Sequence, residues 1–291
     1  MLVAIAACGF GAIPALVALA TGAGMSLAAA LAWRYGIGAA LLVALAGGPR
    51  ATALPGSQVP RLLLLGGGGQ VAIAVASLSA LRYGLSAAMV TFLFYTYPAW
   101  VTVFAALRGE RLTRARAVAL ALSLAGIVVM VGAPGTSGVH PVGVALELTA
   151  AILYALYIPF LGRLQGGASP SAASVWVTGG ASAMLAAWAL SRGELAPPPS
   201  APAWTAVLVL GGFSTAVAFV LFLRGLAALG PVRTAIVSTV EPFWSALFGA
   251  LLLRQPVGPA TVAGGALIAA AVVVLSTAGA RARDAAPGPT A

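Results

Sequence analysis

Ten apolar runs follow one another along the chain, separated by short gaps that hold most of its polar, glycine and proline residues. They cover 2–20, 27–46, 62–81, 86–107, 117–131, 142–161, 174–190, 204–223, 232–253 and 261–277. A bilayer core about 30 Å thick is crossed by about 20 helical residues. Backbone polar groups in lipid must be satisfied within the segment. The pattern therefore predicts an all-α integral membrane protein of ten transmembrane helices. The first run lacks a basic leader and a cleavage site, so it reads as a span and not as a signal peptide. The gaps 47–60, 133–141 and 192–202 are Gly/Pro-bearing loops, and 280–291 reads as a short disordered cytoplasmic tail.

The fourth and ninth runs share a pattern. Tyr97-Pro98-Ala99-Trp100-Val101-Thr102-Val103-Phe104 returns 144 residues later as Glu241-Pro242-Phe243-Trp244-Ser245-Ala246-Leu247-Phe248, with Pro, Trp and Phe in one register. The same offset sets Val118 on Val262 and Val128-Val129 on Val272-Val273, while Arg82 meets Arg224 at 142. Two units follow, 1–133 and 140–279, of five spans each. An odd number of spans makes the second unit enter the membrane from the opposite side, which is an inverted repeat with a site expected near the midplane. Pro98 and Pro242 each lie inside a membrane-length helix, where proline frees a carbonyl and kinks the chain. Both are candidate hinges.

Composition agrees with the pattern. Hydrophobic residues make up 61% of the 291 and charged residues 7%, far below the roughly 25% of a soluble domain. The net charge is +10, but the basic residues are all arginine and lie mostly in the gaps, where they meet headgroups and not nucleic acid. On the side of the termini lie Arg50, Arg61, Arg108, Arg111, Arg114, Arg116, Arg163, Arg224, Arg233, Arg281 and Arg283; the other side has Arg82, Arg192 and Arg254. Eleven against three predicts both termini in the cytoplasm. The single Cys8 excludes an intrachain disulfide and a cysteine metal cluster.

Three charged residues stand out well within spans: Arg34, Glu147 and Glu241. Intramembrane charges face a cavity or a partner. Glu241 adjoins Pro242 and by helical spacing shares a face with Ser238, Trp244 and Ser245. It could carry a proton, hold a substrate amine, or be an acid tied to Arg34 or to freed backbone. Glu147 shares a face with Tyr154 and lies near enough to a helix end to meet water. Tyr95, Tyr97, Trp100, Tyr154, Tyr157, Trp176 and Trp244 could form a cage for an apolar or cationic ligand, though packing or an interfacial belt also accounts for single aromatics. Helical spacing lets only one of Tyr95 and Tyr97 face a given cavity. Gly66–Gly69, followed by Gln70, could admit a neighbouring helix or the substrate. No HExxH, GxSxG or Walker spacing occurs, and the lone histidine, His140, is in a loop. No metal or cofactor is expected. A membrane-embedded enzyme using Glu147 or Glu241, or a purely structural membrane protein, are the competing classes.

The duplicated five-span unit, Pro98 with Leu107-Arg108-Gly109-Glu110-Arg111-Leu112, the Gly126-bearing fifth span and Glu241-Pro242 resemble the EamA-type exporters of the drug/metabolite transporter superfamily. The second copy departs from the family's Gly-Glu, reading Leu253-Arg254, and Gly9-Phe10-Gly11 stands where the family has Trp-Gly. The resemblance implies an inner-membrane carrier, a monomer or weak homodimer, that exports amino acids or similar small metabolites by alternating access. Multidrug or other metabolite efflux is the alternative. Proton coupling and passive facilitation both remain open.

Overall fold

The structure, a computed structural model, describes residues 1–109, 112–131, 139–165 and 169–284. It contains helices and no strand among those residues. In chain order they are α1 (Leu2–Gly11), α2 (Ile13–Gly22), α3 (Leu27–Leu45), α4 (Val59–Leu64), α5 (Val71–Ser79), α6 (Ala87–Phe94), α7 (Tyr97–Leu107), α8 (Arg114–Val131), α9 (Pro141–Gln165), α10 (Pro170–Ser191), α11 (Ala201–Gly211), α12 (Ala218–Ser238), α13 (Glu241–Leu253) and α14 (Pro259–Asp284). Widened π-helical turns, Leu65–Gln70 and Gly212–Val217, join α4 to α5 and α11 to α12.

Eight stretches are long and apolar enough to cross a membrane: Leu2–Gly22, Leu27–Leu45, Val59–Tyr83, Ala87–Leu107, Pro141–Leu161, Ser171–Ser191, Ala201–Gly225 and Pro259–Ala278. The two other predicted spans are not among them. The fifth lies in α8, whose first turn carries Arg114 and Arg116. The ninth is divided between α12 and the 13-residue α13. The last helix runs through Asp284, so residues 280–284 of the expected tail are helical; residues 285–291, the 132–138 linker, and Glu110 and Arg111 lie outside the described residues.

The kinks predicted at Pro98 and Pro242 are breaks, and Pro14 marks a third; each proline occupies the first turn of a new helix. There the missing N–H costs nothing, because the first-turn donors have no helical acceptor anyway. The interruptions at 95–96 and 239–240 keep the 144-residue offset of the sequence pattern. The third, at Ala12, is seated against the last: a Cβ on Gly11 would lie 2.7 Å from the Glu241 carbonyl oxygen.

Helices pack chiefly across the two sequence halves. α1 lies on α12 and α2 on α11, α3 on α10, α5 on α9, α6 on α13, and α8 on α14. Small residues at the crossings let backbones touch, the usual solution where lipid gives no hydrophobic drive. Gly126 meets the Gly264 carbonyl and Gly264 that of Gly126. Gly66 meets the Val177 carbonyl and Gly180 that of Leu63. Gly66 thus admits a neighbouring helix, the first of the two roles open to the glycine run.

The departure from Gly-Glu has a local cost. Gly109 follows α7 at φ +86, and Arg254 caps α13 at φ 54. Both are left-handed, a conformation that costs a side-chain-bearing residue about 1–2 kcal/mol. Arg254→Gly is expected to stabilise the folded protein by about 1 kcal/mol. A thermal midpoint in detergent at or below wild type would contradict this.

The segment between α10 and α11 is pinned to α3. The Trp33 indole donates to the Ala196 carbonyl at 3.1 Å, and Arg192 Nε donates to Glu194 Oε1 at 2.9 Å. The hydrogen bond from Arg192 holds the Glu194 carboxyl below its ordinary range. Such a group adds stability above its unfolded pKa and loses it as pH falls through its folded one. Residues 192–200 are therefore expected to loosen as pH falls below the ordinary carboxylate range, and Glu194→Gln to abolish the step. Hydrogen exchange of this segment, corrected for intrinsic rates, measures both; protection that does not change with pH would contradict the assignment.

Candidate substrate-binding cavity

A cavity of about 490 Å³ lies among the interrupted helices. Eight residues expected at a site line it: Arg34, Gln70, Tyr95, Tyr97, Tyr154, Tyr157, Ser238 and Glu241. Four do not. Trp100 is half-buried outside the lining. Trp176 donates its indole N–H to the Thr52 carbonyl at 2.9 Å and braces a loop. Trp244 stacks on Phe248 with ring centroids 6.1 Å apart, and its Cβ side packs on Gly11. Glu147 sits behind the wall, as described below.

Glu241 opens α13, just past the break at 239–240. This places its carboxylate in a first helical turn, where the helix dipole favours negative charge. The Tyr95 hydroxyl lies 2.8 Å from Glu241 Oε2 and 2.9 Å from the Ser238 carbonyl oxygen. With one proton, that hydroxyl donates to one of the two at a time. When it donates to Ser238, its lone pairs are free to accept from a protonated Glu241. The pair can therefore satisfy the acid both with and without its proton. Ser245, expected on the same face, instead turns to α6, within 2.9 Å of Thr91 Oγ1 and 2.8 Å of the Ala87 carbonyl.

Arg34 is not tied to Glu241, contrary to one expectation. Its Nε donates to Thr215 Oγ1 at 3.1 Å, and its guanidinium lies over the Tyr35 ring, 4.9 Å from the centroid. Thr215 in turn donates to the Leu210 carbonyl at 2.7 Å, a spacing opened by the π-helical turn. The terminal nitrogens of the guanidinium carry no hydrogen bond among the described residues. Burying a charge in this way is costly by several kcal/mol unless something pairs with it. Gln70 Nε2 donates to the Tyr35 hydroxyl at 3.1 Å and fixes that ring.

Both Tyr95 and Tyr97 line the cavity, a second correction. Helical spacing does not apply between them, because Tyr95 ends α6 and Tyr97 begins α7. Tyr97 meets Tyr154 edge-on at 4.9 Å, and Tyr154 stacks with Tyr157 at 6.3 Å. Phe94 closes the group 5.0 Å from Tyr154.

Glu147 meets no water: its exposure is 0%. It lies within the packed α5–α9 contact, where Oε1 accepts from Ser77 Oγ at 2.9 Å. Oε2 has no partner among the described residues. Ser77 lines the cavity on its other side. Tyr35, Ser77, Ser214 and Thr215 are lining residues that sequence reasoning missed; for Tyr35 the signal was its position next to the intramembrane Arg34.

Apolar helices of membrane length, broken around a charged and aromatic cavity, define a multi-pass membrane transporter. The EamA-like transporter family model matches residues 1–132 and again 141–277, and the chain belongs to that family. An uncharacterized transporter of Archaeoglobus fulgidus (strain ATCC 49558 / DSM 4304 / JCM 9628 / NBRC 100126 / VC-16) is 27% identical over 202 residues, 69% of this chain and 72% of its own. A solved crystal structure shares the fold with a TM-score of 0.65, covering 96% of this chain and 98% of its own at 23% identity.

Proposed function

We propose that the protein is a secondary carrier of ten spans, two inverted five-helix repeats over 1–133 and 140–279, that exports amino acids or similar small metabolites by alternating access. The inverted repeat is supported by the helix pairing. Exchanging the halves turns the α1/α2 contact with α11/α12 into the α9 contact with α5, and leaves the α3–α10 and α8–α14 contacts unchanged. Matching of the family model in two successive segments supports it too. The arginine count supports an inner (plasma) membrane location with both termini cytoplasmic.

The observation that carries the substrate reading is the cavity's pair of opposite charges, which do not pair with each other. Arg34 has free donors for a carboxylate, and Glu241 with Tyr95, Tyr97 and Tyr154 can hold a cation. Substrate binding would relieve the desolvation of both. The breaks beside Pro98 and Pro242 let the half-helices α7 and α13 tilt as units and expose the cavity to the other side. Glu241 cannot hold a substrate cation and a proton together. Tyr95 serves either state, so exchange of the two at this residue gives proton antiport.

Efflux from proteoliposomes preloaded with mixed amino acids, with and without a pH gradient, tests the reading. Selective loss of some amino acids, accelerated by an opposing proton gradient, is expected. Retention of every amino acid by folded protein would overturn the substrate class and turn attention to amphipathic drugs.

A further inference from the structure

The two charges of the cavity are not neighbours. Between them runs a wall of tyrosines. The Arg34 guanidinium rests on Tyr35. Tyr35 and Tyr157 line the same cavity. From Tyr157 the rings pass to Tyr154 at 6.3 Å, to Tyr97 at 4.9 Å and to Tyr95 at 6.1 Å. Tyr95 ends the series at the Glu241 carboxylate, 2.8 Å from its hydroxyl. Glu241 is bonded to Tyr95 and Arg34 to Thr215, so neither charge uses the other as its partner.

A simple α-amino acid carries its ammonium and carboxylate on one carbon. Both of its charges fall together, whereas Arg34 and Glu241 have separate partners at the two ends of the ring series. A molecule with an apolar chain between its charges satisfies both. Methylene groups next to a cation lie well on aromatic faces, where the ring quadrupole attracts the charge. Two further groups point to a polar ligand. The Tyr157 hydroxyl, midway along the wall, and the Ser214 hydroxyl, beside Thr215 at the Arg34 end, are buried without a hydrogen-bond partner among the described residues.

We propose that the cavity selects amphoteric amines whose carboxylate and cationic nitrogen are held apart by an apolar chain, with the carboxylate on Arg34, the chain along Tyr157 and Tyr154, and the cation at Glu241. Basic amino acids and ω-amino acids form this class. The assignment rests on the carrier reading above and narrows its substrate.

Calorimetric titration of the full-length protein in lipid nanodiscs tests it with four probes. Lysine and 6-aminohexanoate present separated charges; norleucine lacks the remote cation and 1,5-diaminopentane lacks the carboxylate. Lysine and 6-aminohexanoate are expected to bind, and each of the other two to bind about tenfold or more weakly, the scale of one charge-assisted hydrogen bond lost. Glu241→Gln is expected to erase the preference for lysine over norleucine, and Arg34→Gln that for lysine over diaminopentane. Tyr154→Leu keeps both charges and is expected to weaken lysine more than norleucine. Norleucine binding as tightly as lysine to the wild type would overturn the inference and leave an amino-acid carrier standing. Binding of none of the four, with other metabolites still moving in the efflux assay, would overturn the inference alone. Absence of all flux would overturn the carrier reading with it.

Discussion

Glu241→Gln is expected to lower efflux per folded protein by about tenfold to a hundredfold and to remove its dependence on a pH gradient. The substitution keeps the shape of the side chain and an oxygen that can accept from Tyr95. Packing of the α13 start against Gly11 involves the Glu241 backbone and is untouched. What disappears is the negative charge and the capacity to carry a proton. A hydrogen bond to a charged group contributes about 1.5–3 kcal/mol, and each 1.4 kcal/mol is about a factor of ten in affinity. The measurement is initial efflux from proteoliposomes normalised to folded protein by size-exclusion chromatography. A rate equal to wild type would remove Glu241 from the site. Equal losses of rate and of folded yield would make it a structural acid.

Gly66→Ala and Gly180→Ala are each expected to abolish most of the folded protein. A Cβ on Gly66 would land on the Val177 carbonyl oxygen, and one on Gly180 on the Leu63 carbonyl oxygen. These are backbone atoms of α10 and α4, which cannot swing aside as a flexible side chain can. Overpacking a well-fitted interior costs about 1–3 kcal/mol, and separating two helices forfeits their other contacts as well. Gly68→Ala is the internal control. Nothing lies within 4 Å of its Cβ position, so it exchanges a poor helix former for the best one, worth up to about 1 kcal/mol. Monodisperse protein after extraction, followed by thermal unfolding, distinguishes the three. Wild-type behaviour of Gly66→Ala would mean that the α4–α10 crossing is looser than described here.

The residues that misled sequence reasoning share one cause. Tyr95 and Tyr97 were placed on different faces because the spacing of a continuous helix was applied across a break. Glu147 reads as near water because it is the seventh residue of its helix. The neighbour that seals it is α5, more than 60 residues away in the chain, and Ser77 of that helix gives its hydrogen bond. A partnership between Arg34 and Glu241 is open in the sequence because both are rare intramembrane charges, yet the hydrogen bond that Arg34 makes through Nε goes to Thr215, an ordinary threonine in an apolar run. Trp100, Trp176 and Trp244 have the composition of a cage, but only position decides whether an aromatic ring lines a space or packs against a neighbour.

The linear chain by itself determined that this is a helical membrane protein, where most of its spans lie, where prolines interrupt them and which family it belongs to. These follow from properties carried by each segment alone: the length of an apolar run, the missing N–H of proline, and a motif repeated at a fixed offset. Only the tertiary structure decided which polar groups meet. The cavity draws on α3, the two widened turns, α6, α7, α9 and α13, elements far apart in sequence. In a chain whose surface and interior are both apolar, hydrophobicity cannot say which face of a helix points inward. The glycine crossings and the few polar contacts between helices set that rotation, and with it the separation of Arg34 from Glu241.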